Sequence, residues 1–247
     1  TSKWWSGLYR NFLETGVDGV WNDMNEPAVF NGGPQDTIPD EARHFGGLRL
    51  PGGKIKPSPH SAVHNVYGML MIKATREGIL QARPHTRPFV LSRSNHLGGQ
   101  RYGATWTGDN VSNEEHLKLA TPMCLNLGLS GQPFCGPDLG GFAGVSAPDL
   151  FARWIGVGAF YPFMRGHAEL KAPRKEPWAF GKETEDDARK ALEYRYRLMP
   201  YIYACFENAS RTGLPVMRPV FFADPKNTAL RAEENAFLFG GDLLVVP

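Results

Sequence analysis

Apolar positions along the 247-residue chain alternate between helical and strand periods. From Ser2 to Thr15, Trp5, Leu8, Phe12 and Leu13 follow helical spacing, and Gly16 supplies a stop. "VDGVW" then reads as a short buried strand, and "HNVYGMLMIKATREGILQAR" as a helix ended by Pro84. "RPFVLSR" is an apolar strand ending at Arg93, and "ATWTGD" a short strand ending at Asp109. Ser112 followed by Glu115 has capping-box spacing, which predicts a helix through "LKLATPMCLNLGL", kinked near Pro122. The pattern repeats: "QPFCGPD" is a strand ending at Asp138, and "APDLFARWIGVGA" a helix with Pro148 near its first turn. "FYPFMRGH" is a strand ending at Arg165 and His167. A long helix is predicted from about Glu185 to Thr212, with Pro200 inside it and Gly213 as its stop. "LPVMRPVFF" and "FLFGGDLLVVP" read as strands with no helix between them.

Alternating strand and helix implies a parallel sheet. The strands end in Asp23, Arg93, Asp109, Asp138 and His167, the layout of a (β/α)8 TIM barrel with reactive groups at C-terminal strand ends. A doubly wound sheet would want a glycine-rich phosphate loop after its first strand, and no GxGxxG or GxxxxGK[ST] occurs. About five units are too few to close a barrel. The chain also opens without Met on a helix-like stretch and stops within "GGDLLVVP", so both ends read as cut. The expected division is a partial barrel over 1–213 and the beginning of an all-β C-terminal domain over 214–247. Residues 27–63 hold Gly32-Gly33, Gly46-Gly47 and Gly52-Gly53 in a long excursion expected to be functional. The glycine pairs there read as loop flexibility rather than a phosphate cradle.

Composition narrows the function. Net charge is +2 and no basic run reaches five residues, which argues against nucleic acid as a partner. No apolar run reaches the length of a membrane span, and the mild pI of 8.4 selects no compartment. Cys124, Cys135 and Cys205 fit neither a disulfide framework nor a zinc pattern and read as small buried hydrophobes.

The candidate chemistry lies in "VWNDMNEPAVF", where an apolar strand runs into Asp23 and Glu26. Those acids are either solvated loop residues or one half of a site. Asp23 and Asp109 end two strands of one predicted sheet, beside Trp21 and Trp106. A carboxylate pair in an aromatic-lined pocket suits glycoside hydrolysis: one acid attacks or stabilises the oxocarbenium-like centre, and the other protonates the leaving oxygen. The aromatics offer flat surface to a sugar ring and desolvate the acid. Arg93 and His167 can bind hydroxyls. Barrel enzymes of other classes also place acids at strand ends, so spacing alone does not decide.

"GVDGVWNDMNEP" resembles the nucleophile signature of glycoside hydrolase family 31 in its α-glucosidase branch. "HNVYG", "SRS", "TWTGDN", "CGPDLGGF" and "FYPFMRGH" follow in the family's order, and "MRPVFF…GGDLLVVP" resembles the start of its C-terminal β-domain. The resemblance implies Asp23 as nucleophile and Asp109 as acid/base. It implies Arg93 and His167 as hydroxyl-binding residues, and Trp21, Met24, Trp106 and Phe142 as pocket walls. Glu26 and Asp138 would orient the others. The implied activity is a retaining α-glucosidase acting on terminal α-linked glucose of an oligosaccharide, with no metal or organic cofactor. Met24 and Asn25 stand where the xylosidase branch carries Phe and Gly, which favours glucose.

Other readings carry less. His60 and His64 stand four apart, but Pro57 and Pro59 place His60 in a loop and no HExxH follows, so a helix start is the better account. Tyr194, Tyr196, Tyr201 and Tyr203 with Arg195 and Arg197 read as core packing with a solvated face. A catalytically silent sugar-binding relative would be expected to lack Asp23 or Asp109, and both are present. Residues 1–247 alone, missing upstream strands, are expected to show little or no hydrolysis.

Overall fold

The computed structural model describes residues 2–30, 36–46, 52–53 and 56–247. Gly32, Gly33 and Gly47 of the expected loop pairs lie outside the described residues. The chain forms two compact units, one reaching to Thr105 and the other spanning Trp106–Pro247.

In the first unit, α1 (Ser2–Gly7) and α2 (Tyr9–Glu14) replace the single helix predicted over Ser2–Thr15. Gly7 is a poor helix former, and at Leu8 the ladder tightens to a three-residue bond, Leu8 N–H to Trp5 O at 3.2 Å. Strand β1 (Gly19–Asn22) is followed by the short pair β2 (Arg43–His44) and β3 (Ser58–Pro59), which run antiparallel. Then come α3 (His64–Ala82), β4 (Phe89–Ser92) and β5 (Ala104–Trp106). β1 and β4 are parallel with Gly19 opposite Phe89 and Asn22 opposite Ser92; β4 and β5 are parallel with Ser92 opposite Thr105.

The first core joins Tyr9 and Leu13 of α2, Val20 of β1, Ile72 and Ile79 of α3 and Val90 of β4. Burying an aliphatic side chain of this size contributes about 1.5–3 kcal/mol. Gly78 lets α3 approach α1, since a β-carbon there would sit 2.5 Å from Ser6 O. β1 is not buried throughout as predicted. Its burial alternates, with Val20 and Asn22 inward and Trp21 43 % exposed, because successive side chains of a strand point to opposite faces.

The second unit runs α4 (Glu114–Leu129), β6 (Cys135–Gly136), β7 (Asp138–Leu139), α5 (Pro148–Gly158) and β8 (Arg165–Gly166). It continues with α6 (Lys182–Arg197), α7 (Met199–Thr212), β9 (Met217–Pro219), β10 (Phe237–Phe239) and β11 (Leu243–Val245). β7 and β8 are parallel, with Asp138 opposite Arg165. The last three strands form an antiparallel sheet in the order β11-β10-β9, with 3-10 turns at Val220–Phe222 and Thr228–Ala232 between β9 and β10.

Three expectations are corrected here. The cap of α4 is Asn113, whose Oδ1 accepts from His116 N at 2.8 Å; Ser112 instead donates its hydroxyl to Gly140 O at 2.7 Å. The long C-terminal helix is two helices meeting at Leu198, because Pro200 has no N–H and suits only a first turn. The tyrosine stripe is divided: Tyr201 packs against the larger core, as expected, while Tyr196 and Tyr203 are 72 % and 58 % exposed. Arg195, expected on the solvated face, turns inward and donates to the carbonyls of Ala159 (2.8 Å), Tyr161 (2.8 Å) and Pro162 (3.1 Å).

The larger core packs α5, through Leu150, Phe151, Trp154, Ile155 and Val157, with Tyr161, Phe237 and Phe239. All three cysteines are free and buried, as expected. Among the described residues no helix is long and apolar enough to cross a membrane.

Candidate active site

In the first unit, β1 positions one cluster. Two-residue periodicity puts Trp21 and Asp23 on the same face, both exposed. The chain then turns sharply. Met24 adopts φ 54°, a left-handed conformation rare outside glycine and asparagine, and donates its N–H to Asp23 Oδ1 at 2.8 Å. Asn25, fully buried, donates Nδ2 to Ser92 Oγ at 2.8 Å and accepts from Ser94 N at 3.0 Å. Its amide thus ties the end of β1 to the two neighbours of Arg93. Arg93 in turn donates Nε and Nη2 to the two carboxylate oxygens of Glu26, at 2.8 and 3.0 Å, and its Nη1 lies 3.5 Å from Asp23 Oδ1. Asp23, Met24, Glu26 and Arg93 are therefore one cluster, with Trp21 on the face of Asp23.

In the second unit, another cluster follows β5 and lies at the ends of β7 and β8. Asp109 is exposed and follows Gly108, which has φ 85°. It borders a cleft of about 130 Å³ shared with Asn110, His116 and Met123. Asp138 is wholly buried and takes Nε and Nη2 of Arg165 on one oxygen, Oδ1, at 3.1 and 2.5 Å. Oδ2 is buried without a hydrogen bond among the described residues. Burial pushes the Asp138 carboxyl above its ordinary range; the Arg165 charge and hydrogen bonds and His167 pull it back, and Asp109 adds to the rise. The Arg165 guanidinium lies 5.1 Å from the ring of Trp106, which is only 2 % exposed. Phe142 and His167 stack with centroids 5.4 Å apart.

The loop carrying Phe142 is gripped from two sides. Asn110 Nδ2 donates to Asp138 O at 2.9 Å, while its Oδ1 accepts from Phe142 N at 2.9 Å. Lys175 donates to Ser112 Oγ and Gly140 O, each at 3.1 Å, and to Gly141 O. Desolvation lowers the Lys175 pKa, against Asp138 and Glu169, which raise it. Gly141 has φ 82°, and a β-carbon there would stand 2.4 Å from Ser112 N, so the close approach requires glycine.

Sequence reasoning missed Asn25, Asn110 and Lys175. The first two carried a signal, as polar residues one or two positions beyond the candidate acids. Lys175 carried none. A histidine chain also went unread: His60, buried, meets His44 Nε2 with its Nδ1 at 3.0 Å and His64 Nδ1 with its Nε2 at 2.9 Å. Its pKa is lowered by burial, then by His64 and His44, with Asp40 opposing.

The model of the glycosyl hydrolases family 31 TIM-barrel domain matches residues 1–205. A probable glucan 1,3-alpha-glucosidase of Arabidopsis thaliana is 46 % identical over 98 % of this chain and 26 % of its own length. Alpha-glucosidase 2 of Bacillus thermoamyloliquefaciens is 42 % identical over 99 % of this chain and 30 % of its own. The crystal structure of a family 31 alpha-glucosidase from Bacteroides thetaiotaomicron superposes with a TM-score of 0.87 at 56 % identity, over 100 % of this chain and 38 % of that one. The chain thus spans between a quarter and two-fifths of the length of these proteins.

Proposed function

Because this chain belongs to glycosyl hydrolase family 31, we propose that it carries the catalytic residues of a retaining α-glucosidase that removes terminal α-linked glucose from oligosaccharides. The observation that carries this reading is the Asp23 cluster: an exposed carboxylate at the end of a parallel strand, with the Arg93 cation beside it and Glu26 holding that cation. Residues 1–213 form part of the barrel, and the antiparallel sheet within 214–247 opens a β-domain.

The Arg93 guanidinium, 3.5 Å from Asp23 Oδ1, faces the carboxylate that acts as nucleophile. Asp23 attacks the anomeric carbon and the exocyclic glycosidic bond breaks. Protonated Asp109 gives its proton to the departing oxygen, so a neutral alcohol leaves and a β-glycosyl ester of Asp23 remains. Ionised Asp109 then takes a proton from water. The resulting hydroxide equivalent adds to the anomeric carbon, the ester bond breaks, and α-glucose departs with Asp23 again ionised and Asp109 again protonated. Trp21, Met24 and Phe142 frame the sugar, with Trp106 buried behind Arg165 rather than open to it, while Arg93 and His167 bind its hydroxyls. Glu26 and Asp138 act through the arginines they hold.

The test is to incubate the full natural chain with 5-fluoro-α-glucosyl fluoride and map the labelled peptide. A label on Asp23 supports the reading. Hydrolysis that persists in Asp23→Ala, or a first-formed β-glucose product, rejects it.

A further inference from the structure

The residue after the candidate acid/base is tied more tightly than a loop residue needs to be. Asn110 is buried, and four hydrogen bonds join it to the segment 138–143. Its side chain spans Asp138 O and Phe142 N, and its own carbonyl accepts from Phe142 N at 2.8 Å and Ala143 N at 2.9 Å. The ladder continues as Val111 bridges Ala143 in parallel and Ser112 N donates to Ala143 O at 2.8 Å. From the helix side, His116 Nδ1 accepts from Val111 N at 3.3 Å. The partner segment is itself immobilised by Lys175 on the Gly140 and Gly141 carbonyls. Asp109 stands exposed at the border of the cleft, one residue from this anchored point.

We propose that Asn110 is a positioning residue for proton donation. It holds the Asp109 backbone at a fixed place relative to the Asp138–Phe142 loop, so that the carboxyl meets the leaving oxygen in line. The inference rests on the reading of Asp109 as the acid. A side chain adjacent to a freely placed donor would need no bonds to a second strand end. Here both the donor and the acceptor of one amide are used on that segment, and an amide offers the two side by side without carrying a charge.

Proton donation matters in proportion to how badly the leaving group needs it. Fluoride departs from α-glucosyl fluoride with little help from a proton, whereas a sugar alkoxide from maltose or nigerose needs a full transfer. The experiment compares kcat/KM for α-glucosyl fluoride with that for whichever disaccharide is turned over faster, in the full natural chain. The variants are Asn110→Asp, which keeps Oδ1 but removes the donor to Asp138 O, and the uncharged Asn110→Ser. A ratio taken on one preparation is independent of the folded fraction, so a merely structural role leaves it unchanged. The expected result is a rise of about tenfold or more in the fluoride-to-disaccharide ratio for both variants, within the range that general acid catalysis supplies. An unchanged ratio in both, with the ratio raised in Asp109→Asn, overturns the role of Asn110 alone. An unchanged ratio in Asp109→Asn removes the acid assignment and this inference with it. Failure of both Asn110 variants to fold makes the residue a structural tie and likewise overturns it.

Discussion

Glu26 meets the Arg93 guanidinium along its Nε–Nη2 edge, at 2.8 and 3.0 Å, which leaves Nη1 directed at Asp23 from 3.5 Å. A fork held on one edge has little freedom on the other, so Glu26 aims the cation it does not use. Glu26→Gln keeps the shape but lacks the charge and one acceptor. Loss of a charge-assisted pair of this kind is worth about 1.5–3 kcal/mol, or roughly 10- to 100-fold in kcat/KM on an α-glucoside. Unchanged kinetics in that variant would show that Arg93 is held by other contacts.

Arg165 and Asp138 predict a pH-dependent defect. Removing the cation in Arg165→Gln leaves a wholly buried carboxylate and should destabilise the protein by about 3–5 kcal/mol at pH 7. The Asp138 pKa is already raised by burial, and without Arg165 it rises further. A raised carboxyl binds its proton more readily folded than unfolded, so its contribution is favourable at low pH and is lost as pH climbs above the ordinary carboxylate value. Urea midpoints should therefore separate wild type from Arg165→Gln widely at pH 7 and much less at pH 4.

The histidine chain predicts the opposite slope. Three neutral imidazoles carry three protons; two fill the bridges at His60 and one sits on an end. A fourth proton fits the other end, but a fifth must break a bridge. The folded His60 pKa is lowered, so the unfolded chain binds protons first as pH falls. Stability from this group is present above about pH 6.5 and declines below it. Asp40 opposes the decline electrostatically, and the Tyr67 ring packs against both His44 and His60. In denaturant titrations between pH 7 and pH 5, His60→Phe should lose part of the acid-side slope that wild type shows.

Arg195 predicts a purely structural effect. Its guanidinium serves the carbonyls of Ala159, Tyr161 and Pro162, all three residues being buried, at the outgoing end of α5. Arg195→Met fills similar volume but leaves those acceptors unserved, a loss of about 3 kcal/mol or more given 1–3 kcal/mol per stranded group. Thermal melting of the variant checks this. An undiminished midpoint would mean that water replaces the guanidinium.

Much of this architecture could be read from the chain because the relevant signals are local. A short apolar strand ending in a charge locates Asp23, Arg93 and Asp109, and glycine stops end the helices at Gly16 and Gly213, which have φ 98° and 76°. What stayed hidden depends on partners distant in sequence. Ser112 has the right spacing to cap α4, but Gly140 claims its hydroxyl, and the neighbouring Asn113 caps instead. Arg195 looks like solvated charge until the end of α5 is packed against it. Asn25 and Asn110 look like loop polarity until strands 67 and 28 residues away supply Ser92 and Asp138. Side-chain amides bridging strand ends have no period, so no window of sequence displays them.

Met24 has one consequence for anyone who would engineer this protein. Its backbone, at φ 54°, is a shape in which glycine would rest more comfortably by about 1–2 kcal/mol. A screen that rewards only heat resistance would therefore be drawn to Met24→Gly, and each such winner would have surrendered a thioether beside the carboxylate expected to attack the sugar. The torsion at residue 24 marks where selection for endurance and selection for turnover pull the same codon in opposite directions.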